Sequence, residues 1–168
     1  MLDFEFCIDT GNSPPVCCKQ PVYEFHERKI MNELIDDLEN SGLIRDCEGV
    51  WGSLLLLAAK PHQESCDDVN SFIWRLCVSY RALNSITLPF QFPTPRCADS
   101  IEDLSDSCGP VYTTSLDTRS GYHPIGVRKS DQEKLTFSTS SGEKKTYNVL
   151  PFEPTNSPGF YIAMTKSA

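Results

Sequence analysis

Residues 115–125 read SLDTRSGYHPI, and they hold the most chemically pointed spacing in the chain. Asp117 closes a strand-like run, PVYTTSLD at 110–117, and Gly121, Tyr122 and His123 follow a short polar turn. Asp, Ser and Gly are common turn residues, so a plain surface loop accounts for the composition. The chemical reading is sharper. A carboxylate at a strand end, with backbone opened by a glycine just beyond it, suits a divalent ion carrying phosphates. The short motif alone does not decide between the two.

Other chemistry-bearing residues point elsewhere or nowhere. The eight cysteines (7, 17, 18, 47, 66, 77, 97 and 108) form no Cys-x-x-Cys pair, and His26, His62 and His123 stand at no zinc-ligand spacing to them, which disfavours a structural zinc or a redox-metal protein. The start, MLDFEFCID, has acids where a secretion signal needs a basic region and an unbroken apolar run. The expectation is a protein with reduced thiols that is intracellular, in cytoplasm or nucleus, and not secreted. The longest apolar run, LLLLAA at 54–59, is far too short to span a membrane, so no membrane partner is expected.

Net charge is −8, with a pI near 4.8, which argues against a free-standing nucleic-acid binder. The acid is unevenly placed. Residues 1–50 carry four basic and eleven acidic side chains, whereas 111–168 carry seven and five, so a polyanion would meet the last third or a local basic groove.

The elements that must position these residues can be read from periodicity. Ile30, Leu34 and Leu38, with Met31 and Ile35 beside them, predict a helix starting near Val22 and ending at Gly42. WGSLLLLAAK at 51–60 and FIWRLCVSY at 72–80 predict two strands joined by a polar tip, the first apolar enough to be buried on both faces. A short helix is expected at 97–106, a strand at 110–117, and a hairpin at 134–150 turning at SSGE. A last helix is expected with Ser157 as N-cap and Pro158 at its first position. This order is α+β.

Five stretches occur together in a recognisable order: SGLIRDCEGVWGSLLLLAAKP, WRLCVSYRALNSIT, FPTPRCADSIEDL, SLDTRSGYHPIGVRKSDQEKLTFST and VLPFEPTNSP. Together they resemble the fingers and first part of the palm of reverse transcriptases from gypsy-type LTR retrotransposons, along roughly the whole chain. The resemblance implies an α+β fold made of the fingers and partial palm of a right-hand polymerase. It divides the chain into an extended N-terminal segment at 1–21, a fingers-like region with the first palm elements at 22–110, and a partial palm at 111–168 carrying Asp117 and the following hairpin.

The resemblance also implies roles. Asp117 takes the place of the first catalytic aspartate, which in that family helps hold two Mg²⁺ ions, and Thr118 would lend its carbonyl to one of them. Ser120 and Gly121 would turn amides toward the triphosphate, and Tyr122 would lie beneath the incoming sugar. Arg75 is similar to the fingers arginine that grips the triphosphate, and Lys60 to its neighbouring lysine. The implied reaction is nucleotidyl transfer from a deoxynucleoside triphosphate (dNTP) to a primer on an RNA or DNA template.

The departures are specific. Pro124 stands for the usual Gln, Ser79 for the usual Asp, and Glu153-Pro154 for the usual Gly-Leu. No Tyr-x-Asp-Asp occurs in the chain, whose last aspartate is Asp131, so the carboxylate set is expected to be incomplete. The expectations are a fragment inactive alone that binds template-primer weakly, or alternatively a non-catalytic nucleic-acid or protein interaction module on the same scaffold.

Overall fold

The heptad-like spacing around Met31 and Ile35 yields helix α1, Phe25–Asn40, in a computed structural model of the chain. The structure describes residues 5–59, 74–90 and 121–167, with positions 92, 93, 102, 112, 114, 117 and 118. A capping box starts α1: Glu24 and Glu27 each accept from the other's backbone amide. Gly42 ends it at φ 70°, with its amide donating to Glu39 O and that of Leu43 to Leu38 O. Met31 and Ile35 are the buried pair, while Ile30, Leu34 and Leu38 are half-buried.

Strands β2 (Ile44–Asp46), β3 (Leu54–Ala59) and β4 (Trp74–Ser79) follow. β3 and β4 pair antiparallel, with Leu55 opposite Val78. Burial on both faces of β3 is not found: Leu55 is fully buried, but Leu56 is 37% exposed and Ala58 and Ala59 face outward. A two-stranded ribbon rests one face on the core, and the alanine end projects past it.

The far edge of β3 would be an open ladder. A side chain covers it. Gln20 donates from Nε2 to Ser53 O at 2.7 Å and accepts at Oε1 from Leu55 N at 3.0 Å, so its amide does what a neighbouring strand would do. The Tyr23 hydroxyl donates to Leu55 O beside it. Gln20→Ala leaves both backbone groups unmatched, and urea denaturation should register a loss of about 1–3 kcal/mol.

Beyond Tyr80 the chain makes a helical turn, α2 (Arg81–Asn84), and later β5 (Gly126–Val127), α3 (Lys129–Gln132) and a 3₁₀ turn at Glu133–Leu135. The expected hairpin is β6 (Phe137–Ser138) with β7 (Lys144–Tyr147), and β2 joins its other edge in the order β2-β7-β6. Ser53 N donates to Thr136 O at 2.7 Å, tying this sheet to the β3–β4 ribbon.

The N-terminal segment is built into the core. β1 (Glu5–Phe6) pairs parallel with β5, and the buried Phe6 ring meets Phe160 edge-on at 4.9 Å. Ile8 is clasped on both sides: its amide donates to Asp131 Oδ2 at 3.3 Å, and Lys134 Nζ donates to its carbonyl at 2.6 Å while bridging Asp131 at 2.8 Å.

The last helix, α4 (Ser157–Ser167), corrects its expected cap. Phe160 N donates to Asn156 O, so Asn156 is the N-cap, and the buried Ser157 hydroxyl has no hydrogen-bond partner. The expected helix at 97–106 and strand at 110–117 lie outside the described residues, apart from positions 102, 112, 114 and 117. No helix among the described residues is long and apolar enough to cross a membrane.

Several protons are held more tightly in this fold than in a free chain, those of Tyr80, Tyr147 and Lys145 among them. Burial pushes the Tyr147 phenol up to about 12 and that of Tyr80 well up, and hydrogen bonds to Asp46 and Glu39 raise Lys145. Raised folded values stabilise fully below the unfolded ones, 10.0 for tyrosine and 10.5 for lysine, and that stability is lost as pH climbs through the folded values. The midpoint of thermal unfolding should therefore fall steeply once pH passes about 10, as circular dichroism across a pH series would record.

Candidate functional site

Asp117, Thr118, Gly121 and Tyr122 come together, as their spacing in the sequence implies. With Phe152 and Tyr161 they line an open depression of about 300 Å³. Asp117 and Thr118 are exposed at its rim. Tyr122 is half-buried, its ring edge-on to Phe152 at 5.3 Å and to Tyr161 at 5.5 Å. Those two contacts fix the ring plane. Tyr161 also donates its hydroxyl to Thr118 Oγ1 at 3.1 Å.

Gly121 lies close against the Tyr161 ring. A Cβ there would stand 3.1 Å from Tyr161 Cε2 and 3.3 Å from its Cζ, closer than side chains normally pack. A larger residue here would require the Tyr161 ring to give way by a few tenths of an ångström.

Arg75 is not in this depression. It is exposed on β4 opposite Ala58 and lines a neighbouring cavity of about 650 Å³ with Leu38, Cys77, His123, Phe152 and Glu153, among others. Phe152 lines both spaces and is the partition between them. Lys60 and Ser120 lie outside the described residues. Phe152 and Tyr161 were not singled out by sequence reasoning, because an aromatic in a loop and another in a largely apolar helix read equally well as core.

The electrostatics of the larger cavity are mixed. Arg75 shares the lining with the carboxylates of Asp37 and Glu153, and burial lowers the His123 pKa, which keeps that ring neutral near pH 7. A phosphate there would meet one guanidinium against two carboxylates.

The loop that carries Phe152 is held by two asparagines. Asn84 donates to Glu153 O at 3.0 Å and accepts from Thr155 N at 2.9 Å. Asn156, buried, donates to Leu88 O and accepts from Phe90 N, both at 2.9 Å. Glu153 sits at φ 84°, in the left-handed region that glycine occupies without strain. Relief of about 1–2 kcal/mol there exceeds the roughly 0.4–1 kcal/mol that glycine adds to unfolded-state freedom. Glu153→Gly should therefore raise stability by about 0.5–1 kcal/mol in urea titrations.

Among the described residues no cluster of three or more His, Cys, Asp or Glu could hold a metal ion, and Asp117 is the single carboxylate lining the depression. A two-ion site needs several converging carboxylates, so the described residues do not by themselves fit two Mg²⁺ ions.

No established family profile matches the chain. It is 29% identical over 157 residues to the retrovirus-related Pol polyprotein from transposon opus of Drosophila melanogaster, a match covering 94% of this chain and 15% of that protein. It is 28% identical over 131 residues to the Pol polyprotein from transposon gypsy of the same species, covering 78% and 12%. An RNA-directed DNA polymerase homolog of Oenothera berteroana is 37% identical over 82 residues, covering 49% of this chain and 55% of that one. The chain thus spans about a seventh of the first of these relatives, by the 15% coverage.

Among solved structures, native prototype foamy virus protease-reverse transcriptase superposes with a TM-score of 0.73 at 22% identity, over 97% of this chain and 20% of that one. The foamy viral enzyme in complex with an RNA/DNA hybrid superposes with a TM-score of 0.71 at 19% identity, over 95% and 20%. The chain is a homologue of retrotransposon Pol polyproteins, built on the fingers and partial palm of the reverse-transcriptase fold.

Proposed function

We propose that this chain is the fingers and first palm portion of an RNA-directed DNA polymerase, in which Asp117, Thr118, Gly121 and Tyr122 form one side of a dNTP site and Arg75 a phosphate contact on the other. The observation that carries the reading is the Phe152 partition: the carboxylate depression and the guanidinium cavity share that one wall. Tyr122, held between two rings, offers a fixed platform for a sugar. Asp117, with the Thr118 carbonyl, supplies one part of a Mg²⁺ site whose other carboxylates must come from elsewhere. Lys60 and Ser120 are proposed to add phosphate contacts.

The alternative, a non-catalytic interaction module, is favoured by one observation: among the described residues, Asp117 is the single carboxylate that lines the depression. Titration of a fluorescent dNTP into the chain, followed by anisotropy, tests the first reading. Arg75→Ala should weaken binding about tenfold, the usual worth of a charge-assisted phosphate contact. Equal affinity in the variant would contradict the reading and leave the module.

A further inference from the structure

The cavity of about 650 Å³ beside Phe152 runs along a strand edge. Four consecutive residues of β4, Arg75, Leu76, Cys77 and Val78, line it. Side chains alternate between the two faces of a strand, so four in a row can border one space only where that space meets the strand side-on. α1 adds Leu34, Asp37 and Leu38 to the lining, and the loop after β7 adds Phe152 and Glu153.

The register shows which backbone groups face this space. The Leu55 amide donates to Gln20 Oε1 and the Leu55 carbonyl accepts from the Tyr23 hydroxyl, so both groups point away from β4. Leu55 stands opposite Val78, and in such a non-hydrogen-bonded pair Val78 likewise turns its N–H and C=O away from β3. The period of two gives Leu76 the same outward direction. Among the described residues β4 pairs with β3 alone, and neither Leu76 nor Val78 makes a backbone bond to any other segment. Gln20 closes the outer edge of β3, while the outer edge of β4 stays open onto the cavity.

Charge selects what can close it. Asp37 and Glu153 outnumber Arg75 in the lining, and His123 is neutral near pH 7, so a cationic side chain is favoured there. Leu34, Leu38 and Phe152 ask for apolar side chains as well. A second copy of this chain suits the space poorly, because it brings a net charge of −8 and a β3 already paired behind its own β4. One extended segment with alternating apolar and basic residues meets both demands. We infer that the open edge of β4 takes up such a segment of a partner protein as an added strand, bonded to the backbone of Leu76 and Val78, with a lysine or arginine set against Asp37 and Glu153. This goes beyond the dNTP reading and does not rest on it.

The probe is a blocked heptapeptide of alternating valine and lysine, and the readout is amide hydrogen exchange of the chain by NMR. At saturating peptide the Leu76 and Val78 amides should exchange about tenfold more slowly or less, while those of Arg75 and Cys77, already turned toward β3, should not change. The same peptide N-methylated at alternate residues keeps its charge but loses its ladder donors. By fluorescence anisotropy it should bind about tenfold more weakly. Asp37→Asn and Glu153→Gln should each weaken the parent peptide by up to about fivefold. Arg75→Ala, which tests the dNTP site, should not weaken the peptide, so the two readings fail separately. Unchanged exchange at Leu76 and Val78, or equal binding of the N-methylated peptide, would overturn the inference. Protection of the same two amides on raising the chain concentration without peptide would overturn it in favour of a second copy.

Discussion

Purified as these 168 residues, the chain should extend no primer, on RNA or DNA template, with Mg²⁺ or Mn²⁺ present. Two-ion nucleotidyl transfer depends on carboxylates that hold both ions in fixed geometry, and alignment of that kind accounts for about 7–11 kcal/mol of barrier lowering in favourable cases. Binding elsewhere cannot replace it. Among the described residues Asp117 is the single carboxylate lining the depression, and the sequence holds no Tyr-x-Asp-Asp. The assay is denaturing-gel primer extension with all four dNTPs. Template-directed extension that disappears in Asp117→Asn would contradict the expectation, since it would mean that this chain completes its own metal site.

The second large effect concerns Phe6. Its ring is buried, meets Phe160 of α4 edge-on at 4.9 Å, and rides on the two-residue strand β1. Phe6→Ala should cost about 3–5 kcal/mol, the usual range for removing a core aromatic. Against a total of roughly 5–15 kcal/mol for a domain, such a loss removes between about a fifth and all of the stability. A urea series followed by circular dichroism measures it. A change below about 1 kcal/mol would mean that the N-terminal strand is peripheral.

Phe6 also shows where sequence reasoning ran out. Residues 1–21 look loop-like because their prolines and glycine break any period, yet the strand they contain is fixed by distant partners: Asp131, Lys134 and β5. Long-range pairing leaves no local signature. Gln20 is similar, since a glutamine reads as solvent-facing and its role as a substitute strand appears only once Ser53 and Leu55 are in place. The strongly periodic α1 and the β3–β4 ribbon were legible, their burial less so. Periodicity reports which face is apolar, and packing decides how much of that face is covered.

The site divides the same way. Asp117 and Gly121 stood out in one short motif that did not by itself decide their role, Tyr122 took its reading from the resemblance, and the three share one depression. Glu153 was legible as a departure from a glycine, and its φ of 84° gives the departure a physical cost. Tyr161 and Phe152 were not, because aromatic residues carry no mark that separates a platform from core.

Photocross-linking tests the central claim most directly. A dNTP bearing a photoreactive base is irradiated with the chain in Mg²⁺, and adducts are mapped by mass spectrometry. Modification is expected within 117–122 and at Phe152, suppressed by excess unlabelled dNTP and reduced in Arg75→Ala. Competable adducts confined to other surfaces, with none in those two segments, would contradict it.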